Sequence, residues 1–306
     1  MIPGPRRDSR LFEAVCLSAA MVLMAAMSGL LASLVWGGWP ALWRFGLHFL
    51  TSDAWDPAHD IYGAAGPILG TLATSVLAMM LALPLAVGVA VFLSELCPPR
   101  LGQVIGIAVE LLAGIPSIVY GMWGLFVLAP WFAEHVQVPI LIAAQPGSLL
   151  DRLFHSIPNG ANICTASMIL AIMVLPYIAS VFSELLRSVP TYMREAAYGM
   201  GFTPFEVVTG IMLPYIKRSA IGAVMLGLGR ALGETMAVTF IIGNAHGFPK
   251  SLFDSGSTIA STIANEFAEA TGDLHASALM ALGLVLFVIT FTALAGARLL
   301  IGRELH

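Results

Sequence analysis

The chain has 306 residues, of which 58% are hydrophobic and only 10% are charged. Soluble domains carry about 25% charged residues, so this composition excludes an ordinary soluble protein and indicates a chain that folds in lipid. The net charge of −4 favours neither nucleic acid nor an acidic tail. The cysteines Cys16, Cys97 and Cys164 lack CxxC spacing and there is no HExxH motif, so we expect neither a disulfide nor a metal site.

Six apolar stretches are long enough to cross a bilayer of about 30 Å. They cover residues 14–36, 68–94, 104–131, 166–187, 219–243 and 276–300. The first follows an arginine-rich start, as a signal peptide does, but it is longer than a signal h-region and no clear small-residue cleavage site ends it. We interpret it as a retained helix, so the sequence predicts an all-α membrane protein with about six transmembrane helices.

The loops between these stretches predict the orientation of the chain. With the N-terminus in the cytoplasm, ten basic residues lie at the cytoplasmic ends and three in the outer loops. The cytoplasmic residues are Arg6, Arg7, Arg10, Arg100, Arg187, Arg194, Lys217, Arg218, Arg298 and Arg303. The outer residues are Arg44, Arg152 and Lys250. This bias predicts that both termini are cytoplasmic. We interpret the acidic residues of the last outer loop, among them Glu266 and Glu269, as a solvated face.

The third stretch contains Gly114-Ile115-Pro116-Ser117, which is the predicted break within a span. Ser117 and Tyr120, beside this break, are candidates for lining a translocation path, since broken helices often do. Glu110, near the cytoplasmic end of the same stretch, has two interpretations, a pathway or gating role and an interfacial ion pair.

The segment 188–218 joins the fourth and fifth stretches and predicts a helix, a glycine turn and a second helix on the cytoplasmic face. Pro190 suits the first turn of a helix, and Gly201 suits the left-handed residue that ends it. Thr203 and Glu206 form a predicted capping box for the second helix, which we expect to end at about Met212. The segment is either a surface connector or a docking element for a soluble partner. In the second case its exposed apolar residues form the interface. They are Tyr192, Met193, Tyr198, Met200 and Phe202.

Arg230 and Glu234 are the charged pair of the fifth stretch, with Arg230 about 11 residues into it. On a continuous helix the two side chains share one face, and Gly229, Gly233 and Ala237 form a small-residue face for close packing. Burying each charge costs about 3 kcal/mol on insertion scales. Two interpretations remain open: a structural ion pair, or a site where Arg230 meets a passing oxyanion while Glu234 holds it.

The cytoplasmic segment resembles the EAA motif of ABC importer permeases. The resemblance rests on Glu195-Ala196-Ala197, then Gly201 after three residues, and Ile211-Met212-Leu213-Pro214 after nine more. It implies that the segment docks in a groove of a separate ATP-binding subunit. The implied coupling residues are Arg194, Glu195, Ala196, Ala197, Gly201, Phe202, Ile211, Leu213 and Pro214.

Further segments resemble the PstC family of phosphate permease subunits. They are Tyr62-Gly63, Gly70-Thr71-Leu72, Phe92 to Leu96, Glu110 to Gly121, Gly227 to Val238 and Thr258 to Phe267. This resemblance implies a type I ABC importer (MetI-like) permease fold in a single domain, residues 1–306 with a core at 66–300. It implies a bacterial inner membrane location and phosphate as substrate. It also implies three partners, namely a PstA-like second permease, a PstB-like ATP-binding dimer and a PstS-like periplasmic phosphate-binding protein.

Three alternatives to a phosphate permease remain. A permease for sulfate or molybdate is the nearest within the family. A stand-alone secondary transporter or channel explains the spans but not the complete EAA segment. An intramembrane enzyme needs a metal cluster, paired aspartates or a Ser/His pair, whereas no Asp lies within a predicted span. The chain also lacks GxxxxGK[ST], so we expect it to be non-catalytic and to bind no cofactor, with ATP and Mg²⁺ used by the partner.

Overall fold

The computed structural model describes residues 7–144, 148, 154, 156–249 and 251–303. These segments are largely helical, which confirms the predicted all-α class. In chain order the helices are α1 (Arg7–Phe45), α2 (His48–Thr51), α3 (Ala65–Val91), α4 (Pro99–Ala113), α5 (Ser117–Trp123), α6 (Ala129–Phe132), α7 (Val138–Ala143), α8 (Ile163–Arg187), α9 (Thr191–Gly199), α10 (Pro204–Val207), α11 (Leu213–Leu232), α12 (Met236–Ile241), α13 (Ile259–Glu266) and α14 (Asp273–Arg303).

Several of these helices continue into one another through π-helical turns. Such a turn, Phe92–Leu96, extends α3, and another, Val208–Met212, joins α10 to α11. Two more, Gly124–Leu128 and Ala133–Gln137, join α5, α6 and α7. Within the described residues, six of the resulting helices are long and apolar enough to cross a membrane. They are Leu11–Phe45, Ala65–Leu96, Ser117–Ala143, Ile163–Arg187, Pro204–Leu232 and Asp273–Gly296.

The predicted number of spans is therefore confirmed, but the third span starts later than predicted. The break at Gly114-Ile115-Pro116 separates α4 from α5, because the residue before a proline is pushed out of the helical conformation. The spanning helix begins after the break, at Ser117. Glu110 accordingly lies on α4, outside the span in which it was predicted.

The fifth predicted stretch is also interrupted. Helix α11 ends at Leu232, and the short helix α12 starts at Met236. Gly233, which has low helix propensity, closes α11, and the Glu234 side chain then turns to accept from the backbone of α12. Arg230 therefore lies in the last turn of α11. The predicted common helix face for Arg230 and Glu234 was wrong, and so was the continuous face of Gly229, Gly233 and Ala237.

The core of the bundle lies between α3 and α8. Four alanines spaced four residues apart on α3 are fully buried: Ala78, Ala82, Ala86 and Ala90. Small residues at this spacing let two membrane helices approach closely. Helix α11 packs on the same core, where a β-carbon at Gly227 would lie 2.7 Å from the Ile178 side chain of α8. The helix that carries Arg230 is thus held against α8.

A second buried cluster joins α1 to α14. The backbone of Ala41 donates a 3.0 Å hydrogen bond to the Ser277 hydroxyl, deep in the contact between the two helices. Phe49, Trp55 and Tyr62 extend this cluster from the segment between α1 and α3. We call this cluster and the loop residues that surround it the loop end of the bundle.

Arg6, Arg152 and Lys250, which contribute to the predicted charge bias, lie outside the described residues. The prediction of a single domain, residues 1–306 with a core at 66–300, stays a prediction.

Candidate functional sites: a helical hairpin and two broken helices

The hairpin of α9 and α10 follows the predicted local chemistry. Gly201 has φ +89° and ends the first helix in the left-handed conformation. Thr203 and Glu206 form the predicted capping box, with the Thr203 backbone donating to the Glu206 carboxylate at 2.8 Å. Pro190 precedes α9 as its cap residue, one position earlier than predicted.

The second helix of the hairpin does not end near Pro214, contrary to the prediction. A π-helical turn at Val208–Met212 carries the chain without interruption into α11, and Pro214 follows directly on this turn instead of ending the helix. The helix from Pro204 to Leu232 is 29 residues long, or about 43 Å at 1.5 Å per residue. The hairpin and Arg230 therefore belong to one continuous element.

The hairpin exposes apolar side chains on one surface. Tyr192, Met200 and Phe205 are each more than 60% exposed, and Tyr198 and Phe202 are 41% exposed. We call Tyr192, Met200, Phe202 and Phe205 the hairpin patch. The hydroxyl of Tyr198 instead contacts Glu95 on the packed side of the hairpin. Met193, predicted to belong to it, is only partly exposed, and Phe205 was not predicted. Large exposed apolar clusters of this kind mark interaction surfaces.

The other predicted coupling residues surround this patch. Glu195 and Ala196 are exposed, Ala197 is fully buried beneath them, and Arg194 is partly buried. Ile211 and Leu213 are partly buried where the π-helical turn meets α11. The hairpin thus has a packed side and an open side.

Glu95, which was not predicted as a site residue, anchors the packed side. It lies in the π-helical turn that ends α3, and its side chain is only 3% exposed. Arg194 forms a 2.8 Å ion pair with one carboxylate oxygen, and the Tyr198 hydroxyl donates to the other at 3.4 Å. The sequence signal was a lone acidic residue at the end of an apolar run, which does not reveal a partner about a hundred positions away.

The two broken helices meet on another part of the molecule. A β-carbon at Gly121 of α5 would lie 2.9 Å from the Cα of Ala237 in α12, so the backbones of these helices are in close contact. The Tyr120 hydroxyl donates to the Leu112 carbonyl at 2.8 Å across the first break. Ser117 starts α5 and is half-buried, whereas Glu110 is exposed on α4.

Arg230 lies beside these breaks. Its guanidinium carbon is 5.6 Å from the ring centroid of Tyr177 on α8, in cation–π geometry, and the Tyr120 hydroxyl is within electrostatic range. Its Nε atom is buried and has no hydrogen-bond partner among the described residues. Within the part of the chain that the structure describes, no ion pair joins Arg230 to Glu234. Glu234 instead accepts from the Ala237 backbone at 3.2 Å.

At the loop end, Glu266 is not part of a solvated face, contrary to the prediction. Its side chain is 16% exposed and accepts hydrogen bonds from the Trp55 indole at 2.8 Å and from His275 at 2.8 Å. His246 pairs with its other oxygen at 3.1 Å. Burial raises the pKa of this carboxyl, but the contacts with His246, Trp55 and His275 outweigh burial and hold the pKa below its usual value. Among the described residues, no group of His, Cys, Asp and Glu has the arrangement of a metal site.

Six spans, a hairpin with an exposed apolar patch and two broken helices beside the half-buried Arg230 are the features of a multi-pass membrane permease. A family model described as "Binding-protein-dependent transport system inner membrane component" matches residues 66–303. The phosphate transport system permease protein PstC of Mesorhizobium japonicum is 51% identical over 296 residues, covering 96% of this chain and 90% of that protein.

Solved structures show the same fold. A bacterial ABC transporter involved in the import of alginate matches with a TM-score of 0.58 and 18% identity, covering 95% of this chain and 96% of that one. An inward-facing MetNI methionine ABC transporter matches with a TM-score of 0.56 and 15% identity, covering 78% of this chain and 94% of that one. The chain therefore belongs to the family of binding-protein-dependent transport system inner membrane components and, within that family, to the PstC permeases.

Proposed function

We propose that the chain is the permease subunit of an ATP-driven phosphate importer in the bacterial inner membrane. The name of its 51%-identical relative supports phosphate as the substrate. The fold shared with ABC importers supports a complex of several subunits. In this complex the chain forms the translocation path with a PstA-like second permease and receives phosphate from a PstS-like binding protein.

The proposed coupling role is supported by the continuous helix from Pro204 to Leu232. It has the hairpin at one end and Arg230 in its last turn at the other. A PstB-like ATPase dimer that binds the hairpin patch can therefore move Arg230 together with the docking surface. The chain itself binds no cofactor in this proposal, and ATP and Mg²⁺ are bound by the ATPase. The hairpin then faces the cytoplasm, as do both termini.

Arg230 is the proposed contact for phosphate. It is half-buried against the Tyr177 ring, and its Nε–H has no partner among the described residues, so it can donate to an oxyanion. Glu234, Ser117 and Tyr120 border the same pair of helix breaks and are proposed to shape the path. Glu110, on the exposed α4, is a weaker candidate for this role.

The proposal is tested by assembling the complete transporter in proteoliposomes with the ATPase inside and the binding protein outside. We expect saturable uptake of labelled phosphate that requires internal ATP. Excess sulfate or molybdate should not compete, and competition by either would identify another oxyanion as the substrate. Phosphate equilibration by this chain without ATP or partners would contradict the proposal and indicate a channel.

A further inference from the structure

We infer that Glu95 is a positioning residue that ties the coupling hairpin to the α3–α8 core and transmits hairpin movement to it. The inference rests on the proposed function, because it assigns the route by which ATPase docking reaches the bundle. None of the coupling residues implied by the family resemblance lies on α3, so Glu95 adds a third element to the coupling unit.

The Glu95 side chain contacts two residues of the hairpin. Both carboxylate oxygens contact the hairpin, one through Arg194 at 2.8 Å and the other through Tyr198 at 3.4 Å. With 3% of its side chain exposed, the carboxylate is shielded from solvent competition, so this pair differs from a surface salt bridge of small effect. Removing one partner would leave the other desolvated without compensation.

The two hairpin contacts come from one face of α9. Arg194 and Tyr198 are four residues apart, so their side chains lie one above the other. Tyr192 is about 160° around the helix from Arg194 at 100° per residue, and it belongs to the exposed hairpin patch. One face of α9 is therefore free to meet an ATPase while the opposite face is held by α3.

The anchor connects to the most tightly packed part of the molecule. Glu95 follows directly on the alanine row of α3, whose last member, Ala90, is fully buried. The hairpin is covalently joined to α8 at one end and to α11 at the other. With the Glu95 contact it is also tied to α3, so all three core helices move with it.

The test compares transport with ATP hydrolysis in the complete transporter. Glu95→Gln keeps the size of the side chain and removes its charge. We expect the complex to assemble and to hydrolyse ATP, but the phosphate transported per ATP should fall by about fivefold or more, the lower range of site-to-site coupling. Glu184→Gln, an exposed carboxylate near the end of α8, is the matched control and should keep the wild-type ratio.

A double-mutant cycle checks that the pair acts as a unit. Arg194→Gln should lower the transport-to-hydrolysis ratio as Glu95→Gln does, and the double variant should be no worse than the poorer single variant. Tyr198→Phe removes only the hydroxyl and should shift the ratio in the same direction by less. If the Glu95→Gln complex fails to assemble, the transport-to-hydrolysis ratio of Tyr198→Phe tests the inference in its place.

Two outcomes would overturn the inference. One is an unchanged ratio in both Glu95→Gln and Tyr198→Phe. The other is a loss of uptake and hydrolysis in equal proportion, which is what a purely structural role produces. A wild-type complex that transports no phosphate would instead refute the proposed function, so the two failures are distinguishable.

Discussion

At the scale of single residues, the unusual feature of Arg230 is that no carboxylate of the described residues pairs with it. The guanidinium stacks on Tyr177, and its buried Nε is unbonded among the described residues. A buried charge costs several kcal/mol unless it is compensated. A passing anion supplies that compensation, which is why the arrangement favours the pathway interpretation over a structural ion pair with Glu234.

We therefore expect Arg230→Gln to leave the complex assembled and to abolish most phosphate uptake. The amide retains hydrogen-bonding capacity but not the charge that offsets the desolvation of an anion. Uptake of labelled phosphate, normalised to complex abundance, measures the effect. Arg230→Gln combined with Glu234→Gln separates the two interpretations: a structural ion pair predicts that the double variant regains uptake, and such recovery would refute a pathway role.

A second residue-scale prediction concerns Glu266, whose contacts hold its pKa below the usual value. A carboxyl with a lowered folded-state pKa contributes stability above its unfolded pKa, ordinarily near 4.5, and loses it as the pH falls through the folded value. The thermal midpoint of the wild type should therefore drop as the pH falls below about 5.

The matched variants isolate this contribution. Glu266→Gln cannot ionise, so its thermal midpoint should be lower at pH 7, by about 2 °C or more, and should depend less on pH. Glu269→Gln changes an exposed carboxylate three residues away and should follow the wild-type curve. Identical pH profiles for Glu266→Gln and the wild type would show that the cluster at the loop end does not depend on this charge.

At the scale of elements, the hairpin was predicted well because its determinants are local. A left-handed glycine and a threonine cap act within three or four residues of the positions they fix, so Gly201 and Thr203 can be interpreted from the sequence alone. The extension of its second helix was missed, since Pro214 suggested an end where the π-helical turn Val208–Met212 instead carries the helix past the proline.

Gly201 gives the element-scale prediction. No atom lies within 4 Å of its β-carbon position, so Gly201→Ala adds no clash. It adds only the cost of a left-handed non-glycine residue, about 1–2 kcal/mol. We expect the hairpin to distort and ATPase binding to the membrane complex to weaken, while insertion of the chain is unchanged.

Gly199→Ala is the control for this change. It also has open space around its β-carbon position but lies in the helical conformation at the end of α9, where alanine is tolerated. Binding of the ATPase can be measured by co-purification from detergent. Equal retention of ATPase by Gly201→Ala and Gly199→Ala would contradict the docking assignment of the hairpin.

At the scale of the whole molecule, composition was enough to predict six spans, because crossing a bilayer needs only length and apolar side chains. It could not predict the break after Leu232, since apolar residues resume at Met236 and the stretch 219–243 is long enough to be one helix. It also could not pair Glu95 with Arg194 or Glu266 with Trp55, because contacts between distant segments depend on how the helices pack. The path between the broken helices depends on such contacts. The sequence therefore predicted which residues line the path, but not how they are arranged in space.

The predicted orientation of the whole molecule can be tested by cysteine labelling in intact cells. Two exposed aromatic residues lie in segments predicted to face opposite sides of the membrane, Tyr192 on the hairpin and Phe248 in the loop between α12 and α13. With Cys16, Cys97 and Cys164 replaced by serine or alanine, a membrane-impermeant maleimide added outside should label Phe248→Cys and not Tyr192→Cys. After permeabilisation of the inner membrane both should react in cells that express the chain without its partner subunits, because both positions are exposed in the chain alone. Labelling of Tyr192→Cys before permeabilisation would place the hairpin outside the cell, where no ATPase could reach it, and would overturn the assignment of orientation and coupling together.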